Sequence, residues 1–112
     1  MPQSFVDRVL EALADLGSVQ RRPMFGGAGL FCGNLMFAIA VNDLLYFRAD
    51  AHSRGEFERR GLERFCHERQ GQRICLDYYH APAEVFRGSA QMLYWARLAL
   101  DAAARAQTGR AA

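Results

Sequence analysis

Residues 24–49 read MFGGAGLFCG-NLMFAIAVND-LLYFRA. Two residue pairs, Gly33-Asn34 and Asn42-Asp43, interrupt the apolar run, and both tolerate the positive φ of primed hairpin turns. The segment therefore predicts a three-strand antiparallel meander, about 24–32, 35–41 and 44–49. Counting outward from the two turns sorts its side chains into two sets. One face carries Phe31, Met36, Leu45 and Phe47, interspersed with Gly27, Gly29, Ala38 and Ala40. Small residues let a helix approach a sheet closely, so this face is assigned to the helices. The other face carries Leu30, Phe37, Ile39, Val41, Leu44 and Tyr46, with Arg48 at its edge. Such a surface is too apolar for water alone, which predicts a covering partner on Leu30, Phe37, Ile39, Val41 and Tyr46, most simply a second copy of the chain. The alternative is that the second helix or the 81–88 segment folds over it.

Helical signals flank the meander. Ser4 followed by Asp7 suits an N-cap, and Phe5, Val6, Val9, Leu10, Leu13 and Leu16 recur at helical spacing until Gly17. Ser53 and Glu56 stand in the capping-box relation, and Gly61 suits the left-handed position after a short second helix. Pro82 suits a first helical position, so residues 82–86 form a single turn. Ser89 caps a long last helix carrying Leu93, Trp95, Ala96, Leu98, Leu100 and Ala103, and residues 108–112 are expected to fray. The predicted fold class is α+β, two-layer, in the order α-β(3)-α-β(2)-α, with an antiparallel sheet and helices packed on one face. One domain, residues 1–112 with a core of about 4–106, accommodates this order.

The second hairpin, about 64–69 and 72–79, turns at Gln70-Gly71. A two-residue turn there sets Glu68 opposite Arg73, Arg64 opposite Asp77, Phe65 opposite Leu76 and His67 opposite Ile74. It also sets Cys66 opposite Cys75 at a non-hydrogen-bonded site, where Cα atoms stand ~4.5 Å apart. That spacing permits a reversible disulfide and makes Cys66 and Cys75 a candidate redox pair. In a reducing cytosol the same two thiols pack as small reduced side chains.

Composition narrows the function classes. With 112 residues and a net charge of +2, the chain is long enough to bury roughly two thirds of its unfolded surface without a metal or disulfide staple. No apolar run approaches the ~18 residues of a membrane span, and the N-terminus lacks the pattern of a secretory leader. A cytoplasmic protein without membrane contact is expected. All fourteen basic residues are arginine, but Glu56, Glu58, Glu63 and Glu68 are threaded among the arginines of 54–73, a mixture that reads as a solvated face before it reads as a nucleic-acid footprint. Three cysteines and three histidines show no zinc spacing. Gly26, Gly27 and Gly29 lead into a strand, so they lack the helix N-terminus that a phosphate loop needs. Asp50 and His52 alone do not make a metal site. Ser4, Ser53 and Ser89 are accounted for as caps, and no nucleophile, base and oxyanion-donor set emerges. No catalytic residue, cofactor or metal is assigned, and an enzyme is not expected. What remains is a candidate recognition edge, Arg21, Arg22 and Phe25, where two guanidinium groups and an aromatic stand beside a glycine run.

The string RRPMFGGAGLF at 21–31, the Met36-Phe37-Ala38 and Leu45-Tyr46-Phe47-Arg48 strands, Tyr78-Tyr79 with Ala81-Pro82, and Trp95-Ala96 together resemble the TfoX/Sxy N-terminal domain family from about Ser4 to Ala106. The resemblance implies helices against an antiparallel sheet, similar to secretion-chaperone-like folds, in a bacterial protein. It further implies a relation to regulators of competence genes, whose full-length members carry an additional C-terminal helical domain that this chain is expected to lack. It carries over no catalytic residue. The function expected is a small non-enzymatic regulatory or protein-binding module, homodimeric or bound to another protein. Alternatives are a nucleic-acid-binding regulator acting through its arginines and a thiol-based redox-responsive module.

Overall fold

A computed structural model describes residues 3–111, with side-chain environments for 3–109. The helices are α1 (Phe5–Ala12), α2 (Arg54–Glu58) and α3 (Ser89–Ala111), with 3-10 turns at Ala14–Leu16 and Ala83–Phe86. The strands are β1 (Gln20–Met24), β2 (Gly27–Cys32), β3 (Leu35–Val41), β4 (Leu44–Arg48), β5 (Arg64–Arg69) and β6 (Gln72–His80). They form one six-stranded antiparallel sheet in the order β1-β2-β3-β4-β6-β5. The fold is α+β as expected, with one strand more. Arg21, Arg22 and Pro23 belong to an edge strand, and Phe25 and Gly26 form its turn, with φ of 55° and 77°. Pro23 is tolerated there because an edge strand leaves one row of amides unpaired.

Several local signals act as read. The Ser4 hydroxyl accepts a 3.1 Å hydrogen bond from the Asp7 amide, and Gly61 (φ 69°) ends α2 with Leu62 N–H donating to the Phe57 carbonyl. Asn42-Asp43 and Gln70-Gly71 take positive φ at both positions. Ser53 differs: it is buried and makes no side-chain cap to α2. Asp50 does the capping instead, accepting from the His52 and Ser53 amides at 3.0 and 3.1 Å. At the far end α3 is helical through Ala111, past the Thr108 at which fraying is expected, while residue 112 lies outside the described residues.

The helices all lie on one side of the sheet. Beneath them are Val9, Leu13, Leu30, Phe37, Leu45, Phe47, Phe57, Tyr79, Val85, Met92 and Trp95. Burying a side chain such as Phe37, Phe47 or Phe57 contributes about 2–3 kcal/mol. Phe57 bridges the layers, its ring 5.3 Å from Tyr79 and 5.1 Å from Trp95. Ala38 and Ala40 of β3, a strand on which α3 packs, share the buried core with Ala96 and Ala99 of α3, so small side chains occur on both layers.

One extra residue rearranges the predicted faces. Phe31 pairs with Met36, as the Gly33-Asn34 turn requires, but Leu30 then pairs with Ala38, leaving Phe37 as a bulge. A bulge presents two successive side chains to the same side. Phe37 and Ala38 therefore both enter the helix-side core, together with Leu30, whereas Met36 joins the opposite face. Gly29, paired with Ile39, goes with Met36, which corrects the expected placement of Leu30, Phe37, Met36, Phe31 and Gly29. Ile39, Val41 and Tyr46 keep the outer face predicted for them.

A second irregularity shapes the outer face. Cys66 pairs with Cys75, His67 with Ile74 and Glu68 with Arg73, but Arg64 pairs with Tyr79 instead of Asp77. Phe65 thus faces the stretch 76–78 and not Leu76 alone, and its ring lies over the sheet 5.1 Å from Tyr46 and 5.3 Å from Phe25. Arg64 still reaches Asp77 at 3.0 Å through its side chain.

Candidate functional site

The expected recognition edge is divided by strand alternation. Successive side chains of β1 point to opposite faces. Arg21 reaches Asp7 of α1 at 2.9 Å, while Arg22 lies over the Phe31 ring, 4.3 Å from its centroid. Phe25 turns inward against Phe65 and His67, at 5.3 and 5.0 Å. Each of the three has an intramolecular task, and they do not converge on one surface.

The expected partner face is also redistributed. Leu30 and Phe37 are fully buried below the helices, and Ile39 is fully buried on the outer side. None of these three offers contact area to a second molecule. Val41 and Tyr46 remain half-buried beside Phe25, Met36, Phe65, Leu76 and Tyr78. Neither α2 nor the 81–88 segment provides this cover. It comes from Phe65 of β5 and from Phe25 of the first turn, both carried over the sheet by positions that break regular register. Large apolar side chains are exposed elsewhere: Phe86 at 55%, Tyr94 at 51% and Leu44 at 40%.

Cys66 and Cys75 are joined as a disulfide, with Cα atoms 4.0 Å apart. The bond crosses β5 and β6 on the side of the Glu68 and Arg73 pair, and Cys75 is exposed. Cys32 is separate and free, and burial pushes its thiol pKa up. A raised pKa lowers the thiolate fraction and hence reactivity.

The histidines are placed in structural surroundings. His67 stacks on Phe65 at 5.8 Å, His80 lies 5.4 Å from Tyr46, and the His52 amide donates to Asp50. Among the described residues, no three His, Cys, Asp or Glu side chains are grouped to hold a metal ion. Of the arginines, Arg21, Arg60, Arg64 and Arg105 form ion pairs with Asp7, Glu84, Asp77 and Asp50. Among the described residues, no helix is long and apolar enough to cross a membrane.

Asp50 and Arg105 are the principal pair that the sequence reading missed. Arg105 Nε and Nη2 donate to both Asp50 oxygens at 2.6 and 3.1 Å, tying α3 to the turn that starts α2. The Arg105 hydrogen bonds, helped by the Ser53 and His52 amides, hold the Asp50 carboxyl far below its ordinary 3.8. A carboxyl with a depressed folded-state pKa stabilises fully above its unfolded value and loses that contribution as pH falls below it. Asp50→Ala is expected to cost about 2 kcal/mol at neutral pH, a drop in Tm on the order of 8 °C. The gap between wild type and variant should narrow below about pH 4. Thermal melts across pH test this; parallel curves down to strong acid would disprove it.

The TfoX N-terminal domain family's sequence model matches residues 11–103. The chain belongs to the TfoX N-terminal domain family. This TfoX-family chain is 33% identical over 73 residues to "DNA transformation protein TfoX1" of Aliivibrio fischeri, covering 65% of the chain and 35% of that protein. It is 26% identical over 100 residues to "Protein Sxy" of Escherichia coli, covering 89% of the chain and 48% of that protein. The matches therefore span half or less of the length of each relative. The TfoX match includes the Phe25-Gly26 turn, the bulged β2–β3 pair, the disulfide-bonded hairpin and most of α3.

Proposed function

We propose that this TfoX domain is a cytoplasmic, non-enzymatic regulatory module of the competence-regulator type that acts by binding another protein. The family match over residues 11–103 carries the reading, and the relative named as a DNA transformation protein gives its direction. Support for protein contact comes from the helix side of the molecule. Phe86 and Tyr94 are both more than half exposed, and beside them Arg60 lies 5.1 Å from the Trp95 ring centroid. Aromatic rings with arginine are the composition that dominates binding energy at protein interfaces. A second copy of the chain is one such partner, joined through this patch rather than through Leu30, Phe37 and Ile39.

A photo-crosslinking amino acid at position 86 tests this reading in bacterial cells. A discrete protein adduct is expected, and the same group at position 73, on the remote hairpin, should give none. Absence of a protein adduct at 86 removes the reading. A salt-sensitive DNA mobility shift lost on Arg21→Ala and Arg22→Ala substitution would replace it with the nucleic-acid alternative. A second reading, a thiol-responsive module, is favoured by one observation, the Cys66–Cys75 bond between an edge strand and its neighbour.

A further inference from the structure

Arg48, the last residue of β4, stands opposite Tyr78 in the sheet, with its guanidinium carbon 5.5 Å from that ring's centroid. Its Nε is buried, and among the described residues it has no hydrogen-bond partner. A buried guanidinium N–H is costly to leave unmatched, so such a group either finds an acceptor or marks a place where one binds. The nearby carboxylates are already engaged. Asp77 accepts from Arg64 at 3.0 Å, and Asp50 accepts from Arg105 at 2.6 Å. Arg64 is further tied to the Leu76 carbonyl at 3.2 Å. Among the described residues, Arg48 Nε is therefore a buried donor without an acceptor, while the guanidinium as a whole lies against the Tyr78 ring.

The same residue lines a cleft of about 740 Å³ formed by the start of β3, residues 75–78 of β6 and the C-terminal half of α3. Leu35, Met36 and Leu76 give it apolar walls, and Gln107 and the Arg64–Asp77 ion pair stand at its polar margin. Clefts of this size accept small organic molecules, with a few polar groups fixing orientation. A guanidinium presents N–H groups in a plane that matches the oxygens of carboxylate or phosphate. We infer that the Arg48 cleft is a binding site for a small organic anion, a carboxylate or phosphate monoester on an apolar body. The anionic oxygens accept from Arg48, and the body lies against Leu35, Met36 and Leu76. Nothing in the regulatory reading requires this site, so the two stand or fall separately.

Phenylacetate, phenyl phosphate and neutral phenylacetamide serve as probes in calorimetric and NMR titrations of the intact chain. One of the two anions should bind saturably at millimolar concentration or below, shifting the amides of Leu35, Leu76 and Gln107, while phenylacetamide should not. Which anion binds tells carboxylate from phosphate. Arg48→Met keeps the side-chain stem and should weaken binding about tenfold or more, the loss expected for a charge-assisted hydrogen bond. Arg48→Lys, a second variant should the first fail to fold, keeps the charge but not the planar fork and should also weaken it. No saturable binding of either anion, shifts confined to other surfaces, or affinity unchanged in a folded Arg48 variant would overturn the assignment.

Discussion

Gly27→Ala is expected to destabilise the domain by about 3 kcal/mol or more, the range reached when a close-packed site is forced to admit another carbon. A Cβ at Gly27 would overlap the Ala40 carbonyl oxygen and stand 2.9 Å from Val41 Cα. These are backbone atoms of β3, so relief requires the β2–β3 pair to separate. Gly29, two residues on, is the internal control. Its Cβ would meet Met24 Sδ and Met36 Sδ at 2.8 Å, and thioether side chains can swing aside. Gly29→Ala should therefore cost less than about 1.5 kcal/mol. Gly26 has open space around it but a φ of 77°, so alanine there is strained by about 1 kcal/mol through its backbone alone. Denaturant unfolding of the three variants should rank them with Gly27→Ala far the worst. If Gly27→Ala proved as mild as Gly29→Ala, the close approach of β2 to β3 would be refuted.

The glycine run in the family string thus serves two physical ends: Gly26 permits the turn, and Gly27 permits the contact. Both were legible only in part. The turn pairs at Asn42-Asp43 and Gln70-Gly71 fixed local register correctly because residue chemistry there restricts φ. The Phe25-Gly26 turn is not legible in the sequence because a phenylalanine at φ 55° contradicts its own preference. Tertiary contact explains the exception. The Phe25 ring is held between Phe65 and His67, and that contact offsets the cost of the unfavourable backbone.

Bulges account for most of the remaining difference. Alternation in sequence assumes an unbroken period of two, and a single inserted residue reverses every assignment beyond it. Phe37 shows this directly: parity sent it outward, while the bulge sends it beneath the helices with Ala38. The argument for an apolar second face was sound in one respect, since Ile39, Val41 and Tyr46 do lie there. The cover expected there was a second chain, the second helix or the 81–88 segment, whereas Phe65 and Phe25 lie against these residues. A sheet that curls can cover itself when an aromatic on an outer strand lies back over inner ones, as Phe65 does over Tyr46. Long-range pairs such as Asp50–Arg105 were invisible for a different reason. Nothing in local spacing links residues 55 positions apart, although the Asp50-x-x-Ser53 pattern did hold a capping signal.

Reduction of the Cys66–Cys75 bond, or the double substitution Cys66→Ser and Cys75→Ser, is expected to lower stability by about 2.5 kcal/mol. That figure follows from the chain entropy of the loop closed by cysteines nine residues apart and corresponds to a Tm loss on the order of 10 °C. Where the loss is felt matters more than its size. β5 is an edge strand whose one sheet neighbour is β6, and beyond β6 its Phe65 and His67 rings contact Phe25 and Tyr46. Removing the covalent tie should let β5 open locally, with hydrogen exchange accelerating at residues 64–69 well before the strands under the helices respond. Opening lifts Phe65 from Tyr46 and uncovers Ile39, so a change of redox state at an exposed hairpin becomes a change in apolar surface on the sheet. Cys32 does not compete for the exchange, because its raised pKa keeps it largely protonated. Paired melts and exchange maps of the oxidised and reduced chain separate the possibilities. Localised exchange at 64–69 on reduction supports a thiol-responsive hairpin, uniform acceleration reduces the bond to a global staple, and identical behaviour in both states would leave the pair with nothing to switch.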